Sequence, residues 1–203
     1  MPILEIETKI TVDPVLQYND PRLRQVSPPV PDAMLGSADL QNWVERLNAA
    51  RKHYGGVGIA APQIGLFQRL VVVEYPEYER VGFGKVNALP LTALVNPQIV
   101  WFGEAKMKAG EGCLSVRGYE GFVVRPTRIG IVAWTIEGQR YEFEADSLYA
   151  RVLQHEIDHL DGILYPDRVA TLRDIRKIQE VTLDDPVLAH NRLIVRPETA
   201  ITM

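Results

Sequence analysis

Apolar residues recur at helical spacing near both ends of the chain and at strand spacing between them. Leu40, Trp43, Val44 and Leu47 fall on one side of a helix, which the pair Gly55-Gly56 ends. A continuous apolar run over residues 70–73 predicts a buried strand, and residues 93–102 a longer one bent at Pro97. Residues 129–136 predict a strand that pairs with 141–143 across the turn Glu137-Gly138-Gln139. The stretch from Pro76 to Pro90 holds several glycines and few apolar pairs, so it reads as a surface loop.

A second helix follows directly. Leu148, Val152, His155 and His159 form one stripe, and Leu153, Ile157 and Leu160 a second. Arg151, Gln154, Asp158 and Asp161 are left for an outer, solvated face. Asp146 or Ser147 is placed to cap the start, and Gly162 to stop it. Apolar on so much of its circumference, this helix is expected to be buried on most sides. Helix, then strands, then helix predicts an α+β fold, antiparallel sheets packed around that central helix. The chain reads as one domain over 1–203, with 172–203 a C-terminal helix or extension. Leu172, Ile175 and Ile178 begin it, Asp184-Asp185-Pro186 breaks it, and His190 beyond faces solvent.

The central helix carries chemistry. His155 and His159 are four residues apart, so both project from one face and can hold a single cation. Glu156 lies beside them without having to ligate, as in the H-E-x-x-H pattern of metal-dependent hydrolases, where the glutamate is the general base. Alone that pattern is not specific. A catalytic site wants a third protein ligand, and four histidines and one cysteine leave a short list: Cys113, His53, His190 or a carboxylate. Cys113 stands out within Glu111-Gly112-Cys113-Leu114-Ser115, where Gly112 lets the backbone approach another group closely. A third segment runs from Gly56 to Gln63; its glycines admit substrate backbone, and the Gln63 amide offers a donor to a developing oxyanion.

Composition narrows the class. With 203 residues and 46% hydrophobic content the chain can bury one substantial core. A net charge of -4 argues against a dedicated nucleic-acid surface. One cysteine makes no internal disulfide, and a thiolate ligand survives best in a reducing compartment. The first nine residues lack the pattern of a secretory signal, and no apolar stretch is long enough to span a membrane. A cytoplasmic enzyme is expected.

Taken together and in order, the three segments resemble the signature motifs of peptide deformylases: G-x-G-x-A-A-x-Q at Gly56 to Gln63, E-G-C-L-S at Glu111 to Ser115, and Q-H-E-x-D-H at Gln154 to His159. The resemblance runs from about Val15 to about Val169. It implies removal of the N-formyl group from the formylmethionine of newly made polypeptides, releasing formate. It also implies a divalent ion, iron(II) natively with zinc, nickel or cobalt able to replace it, held by Cys113, His155 and His159. Glu156 would be the base, with the Gln63 amide and Leu114 N–H receiving the oxyanion. Val57, Leu148 and Val152 are expected to floor an apolar pocket for methionine, Gly58 and Gly112 to give close backbone approach, and Arg151 to lend its stem to the rim. Formylated nascent chains are the expected partners, with transient ribosome contact. One departure is Arg117, where many relatives have proline.

Two other classes compete. A zinc endopeptidase shares the two histidines and glutamate but takes its third ligand downstream, against the upstream Cys113. A non-catalytic binding module would have lost a ligand or base, and none is lost.

Overall fold

A computed structural model describes residues 12–178. Ten strands and two α-helices are among them. A five-stranded antiparallel sheet has the order β1 (Gly58–Ala60), β2 (Leu70–Tyr75), β5 (Leu89–Phe102), β8 (Arg128–Trp134), β9 (Arg140–Asp146). A three-stranded sheet runs β10 (Ile175–Lys177), β7 (Tyr119–Pro126), β6 (Lys106–Gly112), and β3 (Tyr78–Arg80) pairs with β4 (Gly84–Val86) in a hairpin.

The apolar run at the start of β2 is continuous because both faces of its sheet are covered. Side chains alternate along a strand, and here the alternation divides two cores. Leu70 and Val72 pack with Leu40, Val44, Leu47 and Ala50 of α1 (Ala38–Tyr54). Val71 and Val73 pack on the other side with Leu148, Val152, Leu153, Ile157 and Leu160 of α2 (Ser147–Leu160). β1 divides the same way, Ile59 toward α1 and Ala60 toward α2. The segment with the paired glycines therefore reaches the helix carrying the histidines. α1 starts with the Ser37 hydroxyl accepting from the Leu40 N–H at 3.2 Å and ends at Gly55, φ 71°, whose N–H returns to the last turn.

Several expectations change. Residues 76–90 are not a plain loop: they contain the β3–β4 hairpin and the first residues of β5. The bend in β5 is set at Asn96, φ 49°, whose side chain accepts from the Val30 N–H and donates to the Val30 carbonyl. No side chain caps α2; Ser147, φ 51°, makes the abrupt turn out of β9 and donates its N–H to the Thr127 carbonyl. The helix expected from Leu172 is a 3-10 turn, Leu172–Asp174, followed by β10 on the edge of the smaller sheet. Asp184-Asp185-Pro186 and His190 lie outside the described residues.

The outer face of α2 is the largest correction. Asp161 is exposed, but Arg151, Gln154 and Asp158 are buried. The three-stranded sheet covers them. Gln154 donates to the Pro126 carbonyl at 3.0 Å, Arg151 to the Val123 carbonyl at 3.0 Å, and Asp158 pairs with Arg125 at 2.8 Å. Periodicity marks these positions as polar; only the partners in the covering sheet decide that they are buried.

Candidate metal and active site

The central helix brings His155 and His159 to one face, and the end of β6 delivers Cys113 opposite them. One ligand-capable atom from each lies within 4.8 Å of the others, with Cys113 Sγ 3.2 Å from His159 Nε2. The sulfur also accepts from the Ser115 N–H at 3.4 Å and is approached by Gln63 Nε2 at 3.8 Å. His155 is oriented from behind: its Nδ1 faces Glu111 Oε2 at 3.0 Å, which leaves Nε2 for the cluster. A cysteine sulfur and two imidazoles so converged fit a divalent transition metal.

Glu111 holds more than the histidine. Arg125 grips both its oxygens, at 2.6 and 2.9 Å, and Arg151 reaches Oε1 at 2.5 Å. Arg125 continues to Asp158, which Arg168 also binds at 2.6 Å. Burial alone would push the Glu111 carboxyl up, but hydrogen bonds from His155 and Arg125 outweigh it and hold the group well below the usual range. His155 is likewise pulled down by burial and raised overall by Cys113 and Glu111, while burial leaves His159 well below its ordinary value. Tyr165 stacks on the His155 ring at 6.3 Å between centroids, above Gly121, where any side chain would collide with the tyrosine.

Glu156 is 4% exposed, and its Oε2 has no hydrogen-bond partner among the described residues. Burial pushes its carboxyl up to about 7; the charge of His155 opposes this and that of Glu111 adds to it. Its other oxygen lies against Gly58, where a Cβ would stand 2.5 Å away. Gln63 is fixed in one sense, its Oε1 accepting from the Ala60 N–H at 2.8 Å and its Nε2 donating to Ser115 at 3.1 Å, so the amide NH2 faces Cys113.

Val57, Leu148 and Val152 belong to one apolar cluster, in which Leu148 is only 2% exposed and lies deep. Gly112 is exposed, with open space where a side chain would be. Leu114 packs on Gly56, and Gln17 holds its carbonyl at 3.2 Å. Arg151 is not at the rim. Its guanidinium is buried under β6 and β7, on Glu111 and on the carbonyls of Val123 and Met107. Sequence reasoning missed Arg125, Arg168, Tyr165 and Gly121; Glu111 and Asp158 carried a signal, their places inside the cysteine and histidine motifs, though Asp158 was read as solvated.

Residues 12–174 match the family pattern described as polypeptide deformylase. Peptide deformylase 2 of Pseudomonas putida is 41% identical over 155 residues, covering 76% of this chain and 86% of that protein. A Met-Ala-Ser-bound crystal structure of the class I type b peptide deformylase from Acinetobacter baumannii superposes with a TM-score of 0.71 at 33% identity, covering 78% of this chain and 98% of that one. The Thermotoga maritima peptide deformylase gives 0.66 at 34% identity, over 79% and 99%. The chain belongs to the peptide deformylase family, hydrolases that take the N-formyl group from newly made polypeptides.

Proposed function

We propose that this family member hydrolyses N-formylmethionyl peptides with Cys113, His155 and His159 as its metal ligands and Glu156 as its proton carrier. The observation that supports this most is the convergence of the three ligand atoms within 4.8 Å beside a buried carboxylate oxygen that has no partner among the described residues. A divalent ion held there supplies a Lewis acid and lowers the pKa of water. Glu156 accepts a proton from the attacking water and passes it to the amine as the C–N bond breaks, releasing formate. A carboxyl titrating near neutrality suits both halves of that transfer. The Gln63 NH2, aimed by Ala60 and Ser115, and the Leu114 N–H receive the oxygen of the former carbonyl.

The methionine side chain takes the apolar ground of Val57, Leu148 and Val152, where a charge would be costly. Gly58 and Gly112 leave room for substrate backbone. Iron(II) is the native ion in this reading, with zinc, nickel and cobalt able to take the same sulfur and nitrogen donors. The enzyme works in the cytoplasm, where its thiolate stays reduced, on nascent chains that it meets in transient contact with ribosomes. Among the described residues no helix is long and apolar enough to cross a membrane.

The test is formate release by anaerobically prepared protein from formyl-Met-Ala-Ser, with acetyl-Met-Ala-Ser as control. The formyl peptide should be cleaved and the acetyl peptide left nearly untouched, the outcome expected where Gly58, Gln63 and Leu114 wall the site closely enough to exclude the extra methyl. Internal cleavage of an unformylated polypeptide without formate release would move the chain to the endopeptidase class.

A further inference from the structure

We propose that Arg117, seated on Tyr54 at the mouth of the site, selects substrates with an acidic residue two or three positions after the formylmethionine. The inference rests on the deformylase reading and adds a specificity element to it.

The path of the peptide follows from burial and topology. Its formyl carbon must lie near Glu156, beside Gly58. From there the backbone of this chain leads inward through Ile59, Ala60 and Ala61, all 0% exposed, but outward through half-buried Val57 and Gly56 to exposed Gly55. β1 is an edge strand that pairs with β2 alone among the described residues, so an extended peptide can run along its open side toward Gly56. At about 3.3 Å per residue, the third or fourth substrate residue comes level with Tyr54 and Gly55.

Arg117 waits there. It lies three residues beyond Leu114, whose side chain packs on Gly56, and its guanidinium sits 4.7 Å from the centre of the Tyr54 ring. Arg117 is exposed and, among the described residues, pairs with no carboxylate. Stacking holds the guanidinium plane in place while leaving its N–H donors open, an arrangement suited to a carboxylate arriving from solvent. The carboxylate that meets this helix end, Glu74, is held by Arg51 and lies 3.9 Å from Lys52.

The experiment compares kcat/KM for three C-terminally amidated peptides, formyl-Met-Ala-Asp, formyl-Met-Ala-Gln and formyl-Met-Ala-Lys, and for versions with the variable residue moved one place on. The Asp peptide should exceed the Lys peptide by about 2- to 5-fold through KM, the size of an exposed charge pair. The preference should fade toward about 1 M salt. Arg117→Gln should bring the ratio close to one, Arg117→Lys should keep part of it, and Arg117→Glu should invert it. Salt titration of the unaltered protein and the Arg117→Lys ratio decide the matter even if Arg117→Gln folds poorly. An Asp-to-Lys ratio that the Arg117→Gln substitution leaves unchanged, or that is indifferent to salt, overturns the proposal. Equal cleavage of all three peptides overturns this inference alone; no cleavage of the Gln peptide by the unaltered protein removes the deformylase reading and this one with it.

Discussion

A Cβ on residue 58 would stand 2.5 Å from Oε1 of Glu156 and 2.9 Å from its Cδ, so the absence of a side chain at Gly58 is what lets the buried carboxylate lie beside the cluster of Cys113, His155 and His159. Glu156 has little room to give, since it is packed in the core side of α2. Gly58→Ala should therefore displace the carboxylate while leaving Cys113, His155 and His159 in place. The expected result is a fall in kcat of about 10- to 100-fold, the scale of a misplaced catalytic group, with metal content unchanged by elemental analysis. Normal turnover would mean that the carboxylate position does not matter.

Removing the Glu156 carboxylate while keeping its shape separates the proposed base from a ligand. Glu156→Gln should retain stoichiometric metal yet lose at least about 10²-fold in kcat. Metal lost in step with activity would make Glu156 a ligand instead.

Cys113→Ala is the opposite case. In the proposed ligand set the sulfur is one of three donors, and it is itself set by Ser115 and Gln63, so bound metal and formate release should disappear together. Retention of one ion per chain by this variant would remove the cysteine from the ligand set.

Glu111 links the histidine to the ion-pair network, and its replacement should show in two separate readouts. Glu111→Gln removes the negative charge that Arg125 and Arg151 share in the interior. Unpairing a buried charge costs about 3–5 kcal/mol, seen as a lowered midpoint in denaturant unfolding. Loss of the partner that orients His155 should also weaken metal binding by about 10- to 100-fold, measured by chelator competition on the folded protein. Unchanged metal affinity would limit Glu111 to a structural part.

The shared face of His155 and His159, with Glu156 beside them, was legible in the chain because it rests on local geometry: four residues make about one helical turn, whatever else the protein does. The same holds for α1 and its glycine end, and for the strand pair β8–β9, whose short turn dictates its register. What the chain alone left open was long-range. Arg125 is 14 residues from Glu111, and Asp158 is 33 from Arg125, so no period connects the ion pairs that surround His155. Arg151, Gln154 and Asp158 read as a solvated face because polarity in a sequence does not say whether the partner is water or another strand. Only the tertiary structure lays the three-stranded sheet over them and turns that face into the buried scaffold of the site. Its reason is energetic: a buried charge survives only where the fold assembles partners for it, and those partners come from strands that the helix period cannot see.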